Sequence, residues 1–157
     1  ALGYTLQLPA NEQYLATQAA LLDKIRGLMG GRAAEEIVFG EVSTGAENDL
    51  EKATLLAQQM ICFYGMGEST GLAHVGQRAH NNFLNGDGSF ERSCSEETAQ
   101  HIDHEVKEIL EKAYRDAKRI LSEHRTELDR IADELIAHET LDQAQLNRLA
   151  TSSISVA

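Results

Sequence analysis

The chain has 157 residues, a net charge of −11 and 42% hydrophobic residues. This length suffices for one domain with a real core, and the acidic balance argues against a surface that binds nucleic-acid phosphates. No apolar run approaches a membrane span, and two cysteines, Cys62 and Cys94, are too few for a disulfide framework, so reduced thiols are expected.

Residues 1–8 alternate, with Leu2, Tyr4, Leu6 and Leu8 on one face, which predicts a half-buried strand stopped by Pro9. An exposed edge there would accept an extended peptide as a further strand. Residues 10–17 are polar and suit a connection. A first helix is predicted from Thr17 to Val38, because Leu22, Ile25, Met29, Ala33 and Ile37 form one apolar stripe. Gly30-Gly31 costs that helix stability and, with Ala33 and Ala34, is expected to let another backbone approach closely. Glu35 and Glu36 are expected to face solvent, the alternative role being to orient a metal-bound histidine. Gly40 suits a left-handed helix stop.

The stretch Ser43-Thr44-Gly45-Ala46-Glu47-Asn48-Asp49-Leu50 closes a loop and opens the next helix. Thr44 and Glu47 have the spacing of a capping box, and Asp49 follows where the helix dipole favours negative charge. This helix is predicted from Gly45 to Tyr64, burying Leu50, Ala53, Ala57, Met60 or Ile61, and Tyr64. Residues 65–94 are rich in glycine and asparagine and read as turns, with short strands or extended anchors expected at Leu72 to Val75 and Phe83-Leu84. His74 and His80 lack the spacing of a zinc site and are expected at the surface.

Ser95 reads as the N-cap of a long helix to about Leu121, with Ala99, Ile102, Val106, Ile109, Ala113, Ala117 and Ile120 inward. His101 and His104 fall off that stripe, on a solvated face. A break near Ser122-Glu123-His124 leads to a helix with Leu128, Ile131 and Leu135, and Asp142 with Gln145 opens another. Residues 151–157 are expected to be a flexible tail.

Met29-Gly30-Gly31-Arg32-Ala33-Ala34-Glu35-Glu36-Ile37-Val38-Phe39-Gly40 followed by Ser43 to Leu50 resembles the peptidase domain of the FtsH family of membrane-bound, ATP-dependent zinc metalloproteases. Ala1-Leu2-Gly3-Tyr4-Thr5, Ser95-Glu96-Glu97-Thr98-Ala99, Ile102-Asp103-His104-Glu105-Val106 and Glu139-Thr140-Leu141-Asp142 fit the same family, in order. The resemblance implies a mainly α, bundle-like peptidase domain over residues 1–150 with a small β element near the N-terminus. It also implies a zinc site built from a His-Glu-x-x-His helix and a distant aspartate, which matches Asp49. The sequence contains no His-Glu-x-x-His, so the chain is expected to begin after that helix, to hold one of the zinc ligands, to contain no catalytic base and to be inactive alone. For the intact protein the resemblance implies degradation of unfolded or membrane polypeptides, an upstream module using ATP and magnesium, a homo-hexamer and a place at the cytoplasmic face of the bacterial inner membrane. This chain by itself is expected to be soluble, with no nucleic-acid partner. The alternative is a non-catalytic helical assembly module, an inactive relative of the family.

Overall fold

Apolar residues at helical spacing become the core, and they fix where every helix turns its face. The structure, a computed structural model, describes residues 15–78 and 90–151. Among them are six α-helices: α1 (Gln18–Leu28), α2 (Gly30–Phe39), α3 (Glu47–Cys62), α4 (Glu96–Glu123), α5 (Arg125–His138) and α6 (Gln143–Thr151). A short antiparallel pair joins β1 (Gly76–Arg78) to β2 (Phe90–Arg92), with Gly76 opposite Arg92. The mainly helical architecture is as expected. The strand over residues 1–8, Phe83-Leu84 and the tail from residue 152 lie outside the described residues.

The core gathers Ile25, Met29 and Ala33, then Ala53, Ala57, Met60, Ile61 and Cys62 of α3, then Ile102, Val106, Ala113 and Ala117 of α4. The long helix α4 packs against α1, α2 and α3, and its alanines let neighbours lie close. Along its outer face, Lys107 to Glu111 (3.7 Å) and Arg119 to Glu123 (3.2 Å) form exposed ion pairs one turn apart. Such pairs contribute about 0.3–0.5 kcal/mol each, against roughly 1.5–3 kcal/mol for burying an isoleucine. The buried stripe therefore places α4, and the charges keep its outer face solvated.

The single helix expected from Thr17 to Val38 is two helices meeting at Met29. Met29 keeps right-handed dihedrals (φ −76°, ψ −12°), donates to the Ile25 carbonyl at 3.1 Å and accepts from Ala33 at 3.0 Å. The interruption is local and falls where two glycines weaken the helix. Positions for a Cβ on Gly30 and Gly31 meet nothing within 4 Å. Among the described residues no backbone makes the close approach expected there.

α3 ends at Cys62, and Tyr64, expected inside, is 52% exposed. Phe63 packs against the core instead, its ring edge-on to His74 with centroids 5.1 Å apart. The turn after it is held by Glu105 of α4, which accepts from the backbone N–H of Glu68 (2.7 Å) and Ser69 (2.9 Å) and from the Ser69 hydroxyl. Burial pushes the Glu105 carboxyl up, but the bonds from Ser69 and then Glu68 outweigh it and leave it below the usual carboxylate range. The strand then starts at Gly76, after the expected Leu72 to Val75; of that stretch Val75 packs against the core as an anchor, whereas Leu72 is 96% exposed.

Several caps match the sequence. Thr98 N–H donates to the Ser95 hydroxyl at 3.2 Å. Asp142 and Gln145 exchange reciprocal bonds of 2.8 and 2.7 Å. Gly40 adopts φ 74° at the end of α2. α5 stops at Glu139 with φ 61°, a left-handed conformation that glycine or asparagine usually takes. None of the residues of α5 is buried.

Two glycine substitutions should part in sign. A Cβ at Gly76 would sit 2.4–2.9 Å from the Phe63 ring, so Gly76→Ala is expected to cost about 1–3 kcal/mol, the range for overpacking. Gly31→Ala, on an open helical position, is expected to gain about 0.5–1 kcal/mol. Urea denaturation of the two variants measures both.

Candidate functional site

Asp49 is the third residue of α3 and is half-buried. The segment that delivers it starts from Gly40, runs through Ser43 and makes a single 3₁₀ turn over Thr44–Ala46 before α3 begins. The expected Thr44–Glu47 capping box is replaced by a cap one residue earlier: the Ser43 hydroxyl accepts from Gly45 N–H at 3.2 Å. A 3₁₀ turn is wound more tightly than an α-helix, so the capping residue shifts back along the chain.

Ser43 is itself held. Its backbone N–H donates to Oε2 of Glu35 at 3.0 Å. Hydrogen bonds from the Ser43 hydroxyl and then its N–H hold the Glu35 carboxyl below the usual range. Glu36 accepts from the Tyr114 hydroxyl and pairs with Lys118 at 3.0 Å, and these contacts, Tyr114 first, lower its carboxyl too. Burial and then the neighbouring Glu36 push the Tyr114 hydroxyl up. The expectation that Glu35 and Glu36 face solvent is thus corrected. They tie α2 to the loop before Asp49 and to α4. The sequence carried no signal for this, because the partners lie eight and 78 residues away.

Asp49 opens onto a groove of about 460 Å³. One wall is α2, through Gly31, Ala34, Glu35, Val38 and Phe39; the floor includes Gly45 and Ala46; the far wall is α5, through Leu128, Asp129 and Ala132. Three carboxylates reach this groove, and two are engaged: Glu35 with Ser43, and Asp129 with Nε of Arg125 at 2.8 Å. Among the described residues the Asp49 carboxylate has no protein partner. It is the acceptor left available for a ligand.

Other candidates do not join it. Among the described residues no three His, Cys, Asp or Glu side chains are placed to hold a metal together. His101 and His104 lie on the exposed face of α4, as expected, with His104 3.4 Å from Glu108. His80 lies outside the described residues. A second groove of about 290 Å³ runs between α1 and α4, beside Arg26, Lys112 and Asp116. Its charges are largely paired with one another, as Arg26 is with Asp23 (2.6 Å) and Lys112 with Asp116 (3.7 Å). The residues present at the first groove fit a divalent metal as one carboxylate donor of a larger set. No helix among the described residues is long and apolar enough to cross a membrane.

The profile of peptidase family M41 matches residues 1–149. The chain is 49% identical over 150 residues to ATP-dependent zinc metalloprotease FtsH 1 of Methylacidiphilum infernorum, covering 95% of this chain and 23% of that protein. It is 44% identical over 154 residues to ATP-dependent zinc metalloprotease FtsH of Pseudothermotoga lettingae, covering 98% and 25%. It is 45% identical over 148 residues to ATP-dependent zinc metalloprotease FtsH of Bacillus subtilis, covering 94% and 23%. The chain thus spans about a quarter of the length of these relatives.

The anchoring of the loop before Asp49 should depend on pH. Glu35 has a folded-state pKa below its ordinary 4.5, so its hold on Ser43 is complete above that value and is lost as pH falls through the lower, folded value. Hydrogen-exchange protection of the Ser43 amide is expected to be flat from neutral pH to about 4.5 and to drop below it. In Glu35→Gln, with no charge to titrate, protection should be weaker at neutral pH and should not show this acid step.

Proposed function

The chain belongs to peptidase family M41, and on that premise we propose that Asp49 is a zinc ligand of a metalloendopeptidase centre. The observation that carries this reading is a carboxylate at the edge of an apolar groove with no partner among the described residues. A hydrolytic zinc site takes three protein ligands and keeps one position open. In this reading the remaining ligands and the general base come from a His-Glu-x-x-His helix elsewhere in the polypeptide, and that helix seats in the groove. When bound, zinc lowers the pKa of a water molecule and polarises the scissile carbonyl.

The residues of this chain do the holding. Asp49 presents its carboxylate from the first turn of α3, which follows directly on the 3₁₀ turn capped by Ser43. Glu35 keeps Ser43 in place, so the ligand is oriented before the metal arrives. Ala34, Val38 and Leu128 give the groove apolar walls, which would exclude water and strengthen electrostatic contacts inside once the helix is seated.

The relatives are named as ATP-dependent zinc metalloproteases. The intact protein is accordingly read as coupling this domain to an ATP- and magnesium-dependent module, acting on polypeptide substrates, as a membrane-anchored homo-hexamer. The competing reading, a non-catalytic helical assembly module, gives Asp49 no chemical task.

Two measurements separate them. In the intact protein, Asp49→Ala is expected to lose bound zinc and casein hydrolysis while keeping its circular dichroism spectrum. Unchanged zinc content and unchanged hydrolysis in that variant would favour the assembly module. The 157-residue chain alone is expected to hold no stoichiometric zinc after dialysis and to cleave no peptide, because a lone carboxylate supplies too little binding free energy. One zinc per chain with chelator-sensitive cleavage would overturn this.

A further inference from the structure

The far wall of the Asp49 groove is its least secured part. α5 contributes Leu128, Asp129 and Ala132 to the groove, yet none of its residues is buried, and Leu135 and Ile136 are 41% and 81% exposed. Apolar burial does little to fix where this wall stands. A polar contact at its first residue does so instead. Nη1 of Arg125 donates to the carbonyl of Ile37 at 3.3 Å, and Nε of the same guanidinium donates to Asp129 at 2.8 Å.

The carbonyl that receives Arg125 is a particular one. α2 ends at Phe39, and Gly40 N–H takes the Glu36 carbonyl. The carbonyl of Ile37 is among the last of the helix, which have no intrahelical partner and carry the negative end of the dipole. α2 has no basic residue of its own in its last turn. Arg125 supplies that charge from another helix, and its planar fork serves two acceptors at once. A lysine, with one ammonium at the end of a flexible stem, matches this poorly.

We propose that Arg125 is a positioning residue for the metal site: it clamps α5 to the C-terminal end of α2 and so sets the width of the groove in which Asp49 meets the other ligands. This rests on the reading of Asp49 as a zinc ligand. Arg125 touches neither metal nor substrate. Without it, α5 is free to swing from α2, and the helix seated between them loses its fixed distance from Asp49.

The test uses the intact protein and compares Arg125→Ala, Arg125→Lys and Asp49→Ala with the parent. Zinc affinity is measured by competition with a chelator, and peptide hydrolysis is followed at limiting and at excess zinc. Arg125→Ala is expected to weaken zinc binding about 10–100-fold, the range for residues that orient metal ligands. At limiting zinc its kcat should fall with metal occupancy while KM is unchanged, and excess zinc should restore kcat. A purely structural loss would not be rescued by metal. Arg125→Lys should fall between Ala and the parent, and it decides the matter if Arg125→Ala does not fold. Parental zinc affinity in Arg125→Lys, or in a folded Arg125→Ala, overturns the clamp. If that happens while Asp49→Ala loses zinc, the clamp alone fails and the metal-site reading stands. If Asp49→Ala keeps its zinc, the metal-site reading fails and the clamp fails with it.

Discussion

Three consecutive residues of α2 hold three different parts of the molecule. Glu35 takes Ser43, Glu36 takes Tyr114 and Lys118, and the carbonyl of Ile37 takes Arg125. Geometry makes this possible. Successive side chains on an α-helix diverge by about 100°, so Glu35 and Glu36 reach partners on different sides, and a carbonyl near the helix end points along the axis toward whatever follows. One turn of α2 thereby fixes the loop before Asp49, the long helix α4 and the wall formed by α5. The apolar stripe of Met29 and Ala33 places α2 against the core, and its polar side arranges the groove.

The helical content was legible because it is written in local patterns. Ser95, Gly40 and the Asp142–Gln145 pair act within four residues of themselves, and all three behave as their spacing implies. The core was legible for the same reason, since Ile25, Ala53, Ala57, Ile102, Val106 and Ala113 recur at helical intervals. Reading failed where a local rule met a tertiary partner. A continuous stripe through Met29 masked the interruption at two glycines. The Gly30-Gly31 pair suggests a close neighbour, and none is present among the described residues. Tyr64 was placed inward by extending the α3 stripe past Cys62, where the helix stops.

The site divides along the same line. Asp49 could be singled out by the family motif around it, and the structure puts it half-buried beside a groove. Glu35 sits in the same motif, but its bond to Ser43 was not legible, because Ser43 is brought to it only when the chain turns back through Gly40. Arg125 showed none either: Ile37 is 88 residues away in sequence. Residues that carry the chemistry have recognisable types, whereas residues that hold them in place are defined by the contacts they make.

On the reading proposed above, a ligand carboxylate must not be consumed by a cation of the protein itself. Asp49 stands in the first turn of α3, where unpaired N–H groups and the helix dipole favour negative charge. Arg125 is committed to Asp129 and to the end of α2, and Lys118 to Glu36. Of the three carboxylates that line the groove, Asp49 is the one without a partner among the described residues. Val38 and Phe39, 40% and 73% exposed along the same groove, add the complementary half. On the reading proposed above they form the apolar rim for the seated helix, so covering it and engaging Asp49 would release free energy together, and neither need be strong alone.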